Sequence, residues 1–450
     1  MLKKYLCTGV AAIMLTTVLS GCAGSNNTPD QSPSSEGTSV TNASSSASKP
    51  VKLTFLFGDP VMQDWFSTYH SKYIKGDNEE NITVEVEYQK EANKILQVKA
   101  ATGDLPDMVS AGLPQEMMDQ EKFLDLSGES WWDDLVPAAK ELSTDVKSGK
   151  NYYVPMCTGA VGIFYNKDIF NELGLKDALT WDEFVSNLKV IKEKKPDVAP
   201  FYICGKEAYT FGHLIDFMVD GVAKQKLGYV GFEKAANTND LETLGWNSSP
   251  DGVVATFAQA LTDINNNGLL NKNIVTASYD NQIEAFVTGK AGVISQGVWA
   301  LADMQKKNPD FKAIGFAPYP ALMKDSTALV GSPLDSYITI SASSANIDAA
   351  KKVVNAMLAP DSVKSLCETR GAIPANPNVD ANWSIIKDDV SKVLKSAVGV
   401  SFTQNLPGSF NGDERGRLVQ ELMVGKYAKA TDFAAEYIKR WTEAYEAISK

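Results

Sequence analysis

"VKLTFLFGD", Val51 to Asp59, reads as a strand that stops on a turn: apolar residues fill it around Lys52 and Thr54, and Gly58-Asp59 ends it. "ITVEVEY", Ile82 to Tyr88, repeats the signal with strict alternation of apolar and polar residues. An amphipathic stretch separates the two. Further short strands are expected at Asp107 to Ala111, Gly162 to Tyr165, Phe201 to Cys204, Ala291 to Ser295 and Tyr337 to Ile340, with helical segments between them. One helix start is explicit: Thr180-Trp181-Asp182-Glu183 forms a capping box, and Phe184, Leu188 and Ile191 then mark one apolar face. That alternation predicts an α/β architecture with open sheets. Ligands of such sheets bind beyond the carboxyl ends of strands, which directs attention to Gly58 and Asp59, Ser110 to Leu113, and Gln296 to Trp299.

Towards the amino terminus, Lys3 and Lys4 precede an apolar run of roughly a dozen residues ending at Leu19, shorter than the ~18 that a membrane span needs. This is the pattern of a secretion signal. Leu19-Ser20-Gly21-Cys22 resembles a bacterial lipobox. The resemblance implies that residues 1–21 are a signal peptide and that Cys22 becomes the acylated first residue. The alternative is an ordinary signal peptide with Cys22 as a bystander. Ala23 to Pro50 holds Ser, Asn, Thr, Gly and Pro but no aromatic residue, Leu, Ile or Met, so residues 22–50 are expected to form a flexible tether. Several acyl chains on one cysteine make a durable anchor, which places the protein on the extracellular face of the cell membrane.

About 400 residues remain, more than one core usually organises, and two domains are expected. Cys157, Cys204 and Cys367 are an odd set without metal spacing, which argues against a disulfide framework. The formal net charge is -12. That balance argues against nucleic acid or an anionic bilayer as the main partner.

Several stretches fall into one known order: "ATGDLPDMVSAG" (Ala101 to Gly112), "YYVPMCTGAVGIFYNKDIFNELGL" (Tyr152 to Leu175) with "TWDEF" (Thr180 to Phe184), "FVTGKAGVISQGVWALADM" (Phe286 to Met304) and "GAIPANP" (Gly371 to Pro377). Together they resemble the extracellular solute-binding proteins of ABC importers, in the branch that includes maltose-binding protein. The resemblance implies a two-lobed periplasmic-binding-protein-like α/β fold with a ligand cleft between lobes. Lobe 1 would comprise residues 51–157 and 316–368, and lobe 2 residues 158–315 and 369–450. It implies a carbohydrate ligand, expected to be an oligosaccharide, membrane permease subunits as partners, no cofactor, no catalysis and a monomeric state.

Site residues carry over singly. Asp59 stands where the branch places an aspartate that hydrogen-bonds sugar hydroxyls, a task suited to a carboxylate that accepts two protons at once; it also stands where a turn aspartate caps its own backbone. Ser110 and Gly112 occupy a loop where the branch often has an aromatic and an acid, and Thr158 and Gly159 stand where maltose binders carry a glutamate. Both departures count against a maltodextrin and towards a differently shaped ligand. Trp299 takes the place of a sugar-stacking tryptophan, its indole matching the C–H face of a pyranose, with a core position as the alternative. Glu207 and Tyr209, with Phe211 beside them, stand near another stacking position, and Phe410 and Asp413 near a late aromatic one.

Asp263 to Gly268 copies the first half of an EF-hand loop, but Ile274 replaces the bidentate glutamate, and a helix end explains the same letters. His70 and His213 sit in no zinc-hydrolase motif. Two function classes stand beside the importer subunit: a secreted glycosidase, whose paired carboxylates composition cannot exclude, and the same fold binding a peptide, a glycerol phosphate ester or a polyamine.

Overall fold

The computed structural model describes residues 50–403 and 410–448. Cys22 and the tether, with the anchor expected on them, lie outside the described residues. Within these, the strands are β1 (Val51–Phe57), β2 (Ile82–Tyr88), β3 (Met108–Ser110), β4 (Val154–Thr158), β5 (Val161–Asn166), β6 (Ala199–Tyr202), β7 (Ala291–Gly297), β8 (Ile314–Ala317), β9 (Leu329–Gly331), β10 (Leu334–Ile340), β11 (Ile373–Pro374) and β12 (Val398–Val400).

They form two sheets. The first has the order β11-β4-β10-β3-β1-β2, and the second β12-β9-β5-β7-β6 with β8 also on β5. β1 runs parallel to both β2 and β3, whereas β10 runs antiparallel to β3 and β4. The chain changes sheet between β4 and β5, between β9 and β10, and between β11 and β12. The first two crossings are tied together where the Gly159 N–H donates to the Pro333 carbonyl at 2.8 Å. β8 and β9 belong to the second sheet and β11 to the first, so the return crossing falls at Ser332-Pro333, later than the expected 315/316 boundary.

Local chemistry explains the main elements. Leu53, Phe55 and Phe57 of β1 are buried, and Phe55 packs edge-on against Phe66 at 5.3 Å. The capping box forms as expected: Thr180 and Glu183 cap each other's backbone N–H at the start of helix Trp181–Lys194, which buries Phe184, Leu188 and Ile191. Helix Val253–Asn266 ends at Asn267 with Gly268 at φ +61°, the helix terminus that the EF-hand-like letters also allowed. The strand expected at Phe201 to Cys204 lies at Ala199–Tyr202 instead, because the Ile203 N–H turns to the Asn271 side chain at 2.8 Å. β4 is not among the strands that the sequence announces. Pro155 argues against a central strand, and the β4–β10 ladder accommodates it beside register shifts at Ser336 and Tyr337. Cys157, Cys204 and Cys367 are free and buried.

Beneath the second sheet lies a buried ionic cluster. Arg415 donates to Asp216 at 2.9 Å and to both oxygens of Asp220 at 2.7 Å, while its Nε reaches the Tyr437 hydroxyl at 3.0 Å. Lys224 donates to the Ser401 carbonyl at 2.6 Å and the Thr403 hydroxyl at 3.0 Å, so this cluster also holds the segment that follows β12.

Candidate functional site

The carboxyl ends of β1 and β3 meet at a polar pocket of about 410 Å³ lined by Asp59, Asn93, Ser110, Gly112, Asp335 and Tyr337. The Gly58 N–H donates to the Ser110 carbonyl at 2.9 Å, and a side chain on Gly58 would come within 3.0 Å of the Ala111 Cβ. Asp59 takes the capping role that the sequence left open with one oxygen and meets an arginine with the other. Its Oδ1 accepts the Val61 N–H at 2.8 Å and caps helix Pro60–Tyr69, while Oδ2 faces Arg370 Nη1 at 2.5 Å. Arg370 turns its other edge to Asp335, with Nε to Oδ2 at 2.7 Å and Nη2 to Oδ1 at 2.9 Å, a bidentate fork. Burial works against the Arg370 charge, but Asp335 and then Asp59 outweigh it and hold the guanidinium above its ordinary value.

The second sheet contributes an aromatic wall. Trp299 follows β7 and is 42% exposed, which removes the core alternative. Its ring lies over Gly297, where a Cβ would come within 2.2 Å of the indole. His213 meets Trp299 edge-on at 6.2 Å, Tyr209 at 5.3 Å and Phe402 at 4.8 Å. Burial lowers His213 to about 4, so the wall carries no charge at neutral pH. A cavity of about 240 Å³ lies against this wall, bordered by Gly159, Trp299, Phe402, Asp335 and Tyr337. Asp335 and Tyr337 line the polar pocket too, so the two spaces share a wall on β10. A third space of about 300 Å³ adjoins them along Gly112, Tyr153 and Tyr337. The result is one cleft between the sheets, polar on one side and aromatic on the other.

Of the residues expected at the site, Asp59, Ser110 and Gly112 come together in the polar pocket, and Gly159 and Trp299 border the aromatic cavity. Tyr209 joins the wall through His213. The others have different partners. Thr158 is buried within β4, paired with Leu334 and Ile373. Glu207 accepts the Tyr279 N–H at 3.0 Å. Asp413 is exposed in the first turn of helix Gly412–Met423, its N–H held by the Asn411 side chain at 3.0 Å. Phe410 is a correction: it is 2% exposed and packs on Tyr437 and Trp441, because the residue before the Asn411 cap turns inward. Phe211 is likewise fully buried.

Arg370, Asp335, Asn93, Tyr337, His213 and Phe402 were not anticipated. Arg370 directly precedes the "GAIPANP" stretch, and Asp335 follows Leu334 at the start of the strand expected only from Tyr337 onward, so a longer strand would have exposed the carboxylate. Among the described residues no group of three or more His, Cys, Asp or Glu is placed to hold a metal ion.

Comparison with known proteins agrees with this architecture. The family described as bacterial extracellular solute-binding protein matches residues 60–364. The multiple sugar-binding protein of Streptococcus mutans is 28% identical over 343 residues, covering 74% of this chain and 76% of that protein. The melibiose/raffinose/stachyose-binding protein MelE of Bacillus subtilis is 26% identical over 229 residues, 51% of each chain. Among solved structures, the apo form of RafE from Streptococcus pneumoniae superposes with a TM-score of 0.73 at 22% identity, covering 88% of this chain and 99% of that one. The matched family and these relatives are solute-binding proteins rather than enzymes. With two sheets whose neighbouring residues line adjoining cavities and a family match over residues 60–364, the chain belongs to the bacterial extracellular solute-binding proteins.

Proposed function

We propose that this protein is the substrate-binding subunit of an ABC importer and captures an oligosaccharide outside the cell. The observation that carries the reading is the pairing of two walls: hydroxyl-accepting carboxylates at Asp59 and Asp335 on one side, and the exposed indole of Trp299 on the other. A pyranose presents that combination, hydroxyls at its rim and C–H groups on its face. Relatives whose names specify several sugars, raffinose or stachyose support the same class. The adjoining spaces suit several sugar units rather than one.

Lobe 1 is built on the first sheet and lobe 2 on the second, with the crossings acting as a hinge. Ligand that contacts both walls favours the closed form and shifts the population towards it. The closed monomer then docks on the membrane permease. Cys22 carries the lipid anchor, and the Ser-rich tether lets the lobes work away from the bilayer.

A thermal-shift screen against mono- and oligosaccharides tests the assignment, because a ligand bound only by the native state raises the apparent stability. Stabilisation by an oligosaccharide is expected. Stabilisation by peptides or phosphate esters, with none by any sugar, overturns it.

A further inference from the structure

On a chain with a formal net charge of -12, the charges at the polar pocket balance: Asp59, Glu91, Asp335, Lys90 and Lys94 line it, and Arg370, outside the lining itself, is bonded to Asp59 and Asp335. Glu91 and Lys94 pair with each other at 3.0 Å. Arg370 commits three nitrogens to the two aspartates. The aromatic side adds no further ionic group, since Asp335 is the sole charged residue bordering that cavity among the described residues.

We propose that Arg370 determines the charge selectivity of the cleft, compensating Asp59 and Asp335 in place so that the pocket takes uncharged polyols and discriminates against sugars bearing an amine or an acid. The inference rests on the reading of the cleft as a sugar site. An acidic sugar finds the guanidinium already forked onto carboxylates, and binding there requires breaking a charge-assisted pair. A cationic sugar finds carboxylates whose charge is already answered. A hydroxyl meets no such obstacle. Each carboxylate offers about four acceptor positions, and Asp59 uses one for Val61 and one for Arg370. Arg370 is thus a specificity-determining residue that acts through the two aspartates.

Removing either sign from the balanced set leaves the pocket with an uncompensated charge of the other sign. Arg370→Met leaves an excess negative charge and Asp59→Asn an excess positive one, and asparagine still caps the helix that Asp59 begins. The test titrates the wild type and both variants with three panels of matched length. One is neutral (raffinose, maltotriose, xylotriose and an N-acetylglucosamine trimer), one is a glucosamine trimer, and one is a galacturonic acid trimer. The wild type is expected to prefer a neutral sugar. Arg370→Met should shift the ratio of amine-bearing to neutral affinity by about tenfold or more, and Asp59→Asn should shift the acid-bearing ratio by a similar factor. If Arg370→Met does not fold, Asp59→Asn carries the test through its own ratio. Unchanged ratios in the variants, or a wild type that prefers a charged sugar, overturn the inference and leave the sugar site standing. A wild type that binds no sugar of any charge overturns the sugar site itself, and the inference with it.

Discussion

Gly297→Ala separates the platform role of Trp299 from every other property of the cleft. The methyl group would sit 2.2 to 2.4 Å from three indole carbons, well inside the ~3.5–4.0 Å of ordinary carbon contact, so the ring must withdraw by more than about 1 Å. Because the indole is 42% exposed, it can swing into the cleft without moving β7, and the folding cost should stay within about 1 kcal/mol. Binding suffers more. Of the roughly 250 Å² that a large aromatic side chain offers, about 100 Å² is open to a ligand. At about 25 cal/mol per Å², covering between half and all of it contributes ~1–2.5 kcal/mol, or about 5- to 70-fold in affinity. Calorimetric titration with the best sugar from the screen, run alongside urea melts of the apo protein, reads both quantities. A double-mutant cycle sharpens the result: in a Trp299→Ala background Gly297→Ala should have no further effect on binding. Equal losses in both backgrounds, or parental affinity in Gly297→Ala, would refute the stacking argument.

Three further outcomes follow from the sequence and structure. Cys22→Ser should release the protein into the medium or leave it unprocessed, as cell fractionation and mass spectrometry would show; a mature Cys22→Ser form that stays on the membrane contradicts the anchor. His70 and His213, the protein's only histidines, are both lowered to about 4, chiefly by burial, so the unfolded chain takes up protons first as pH falls below about 6.5. Stability present above pH 6.5 is therefore lost on the way to pH 4, by about 2–3 kcal/mol per imidazole at pH 4.5; urea melts should show the loss, and a His70→Gln/His213→Gln variant should show a flatter profile. Small-angle scattering should give a smaller radius of gyration at ligand saturation, and an unchanged radius counts against hinge closure while leaving binding intact.

The strands whose order announces the α/β class were legible because their chemistry is local: the alternation in β2, the apolar run of β1 and the capping box at Thr180 need no distant partner. The position of Asp59 and Trp299 at the cleft was legible for a related reason, since each stands just beyond the end of a strand and the cleft lies at strand ends. Arg370 was not. Its partners stand 35 and 311 residues away in sequence, and a fork across that separation leaves no local pattern. Phe410 misled because an aromatic next to a helix start looks the same whether it faces ligand or core; the bulk of Tyr437 and Trp441 behind it decides the matter. Glu207 has an acid's ordinary second use, accepting the backbone N–H of Tyr279 at the start of a helix. The short strands β8, β9, β11 and β12 carry two to four residues each, too few for a period to show.

The central claim is that a cleft with one polar and one aromatic wall holds an oligosaccharide and returns it unchanged. Its most direct test is calorimetric titration of the purified protein with the best oligosaccharide from the screen, followed by recovery of the sugar and determination of its mass. The account predicts saturable one-site binding, recovery of the intact sugar, and loss of binding when Asp59 and Trp299 are both replaced by alanine. Cleaved sugar, or undiminished binding by that double variant, would contradict it.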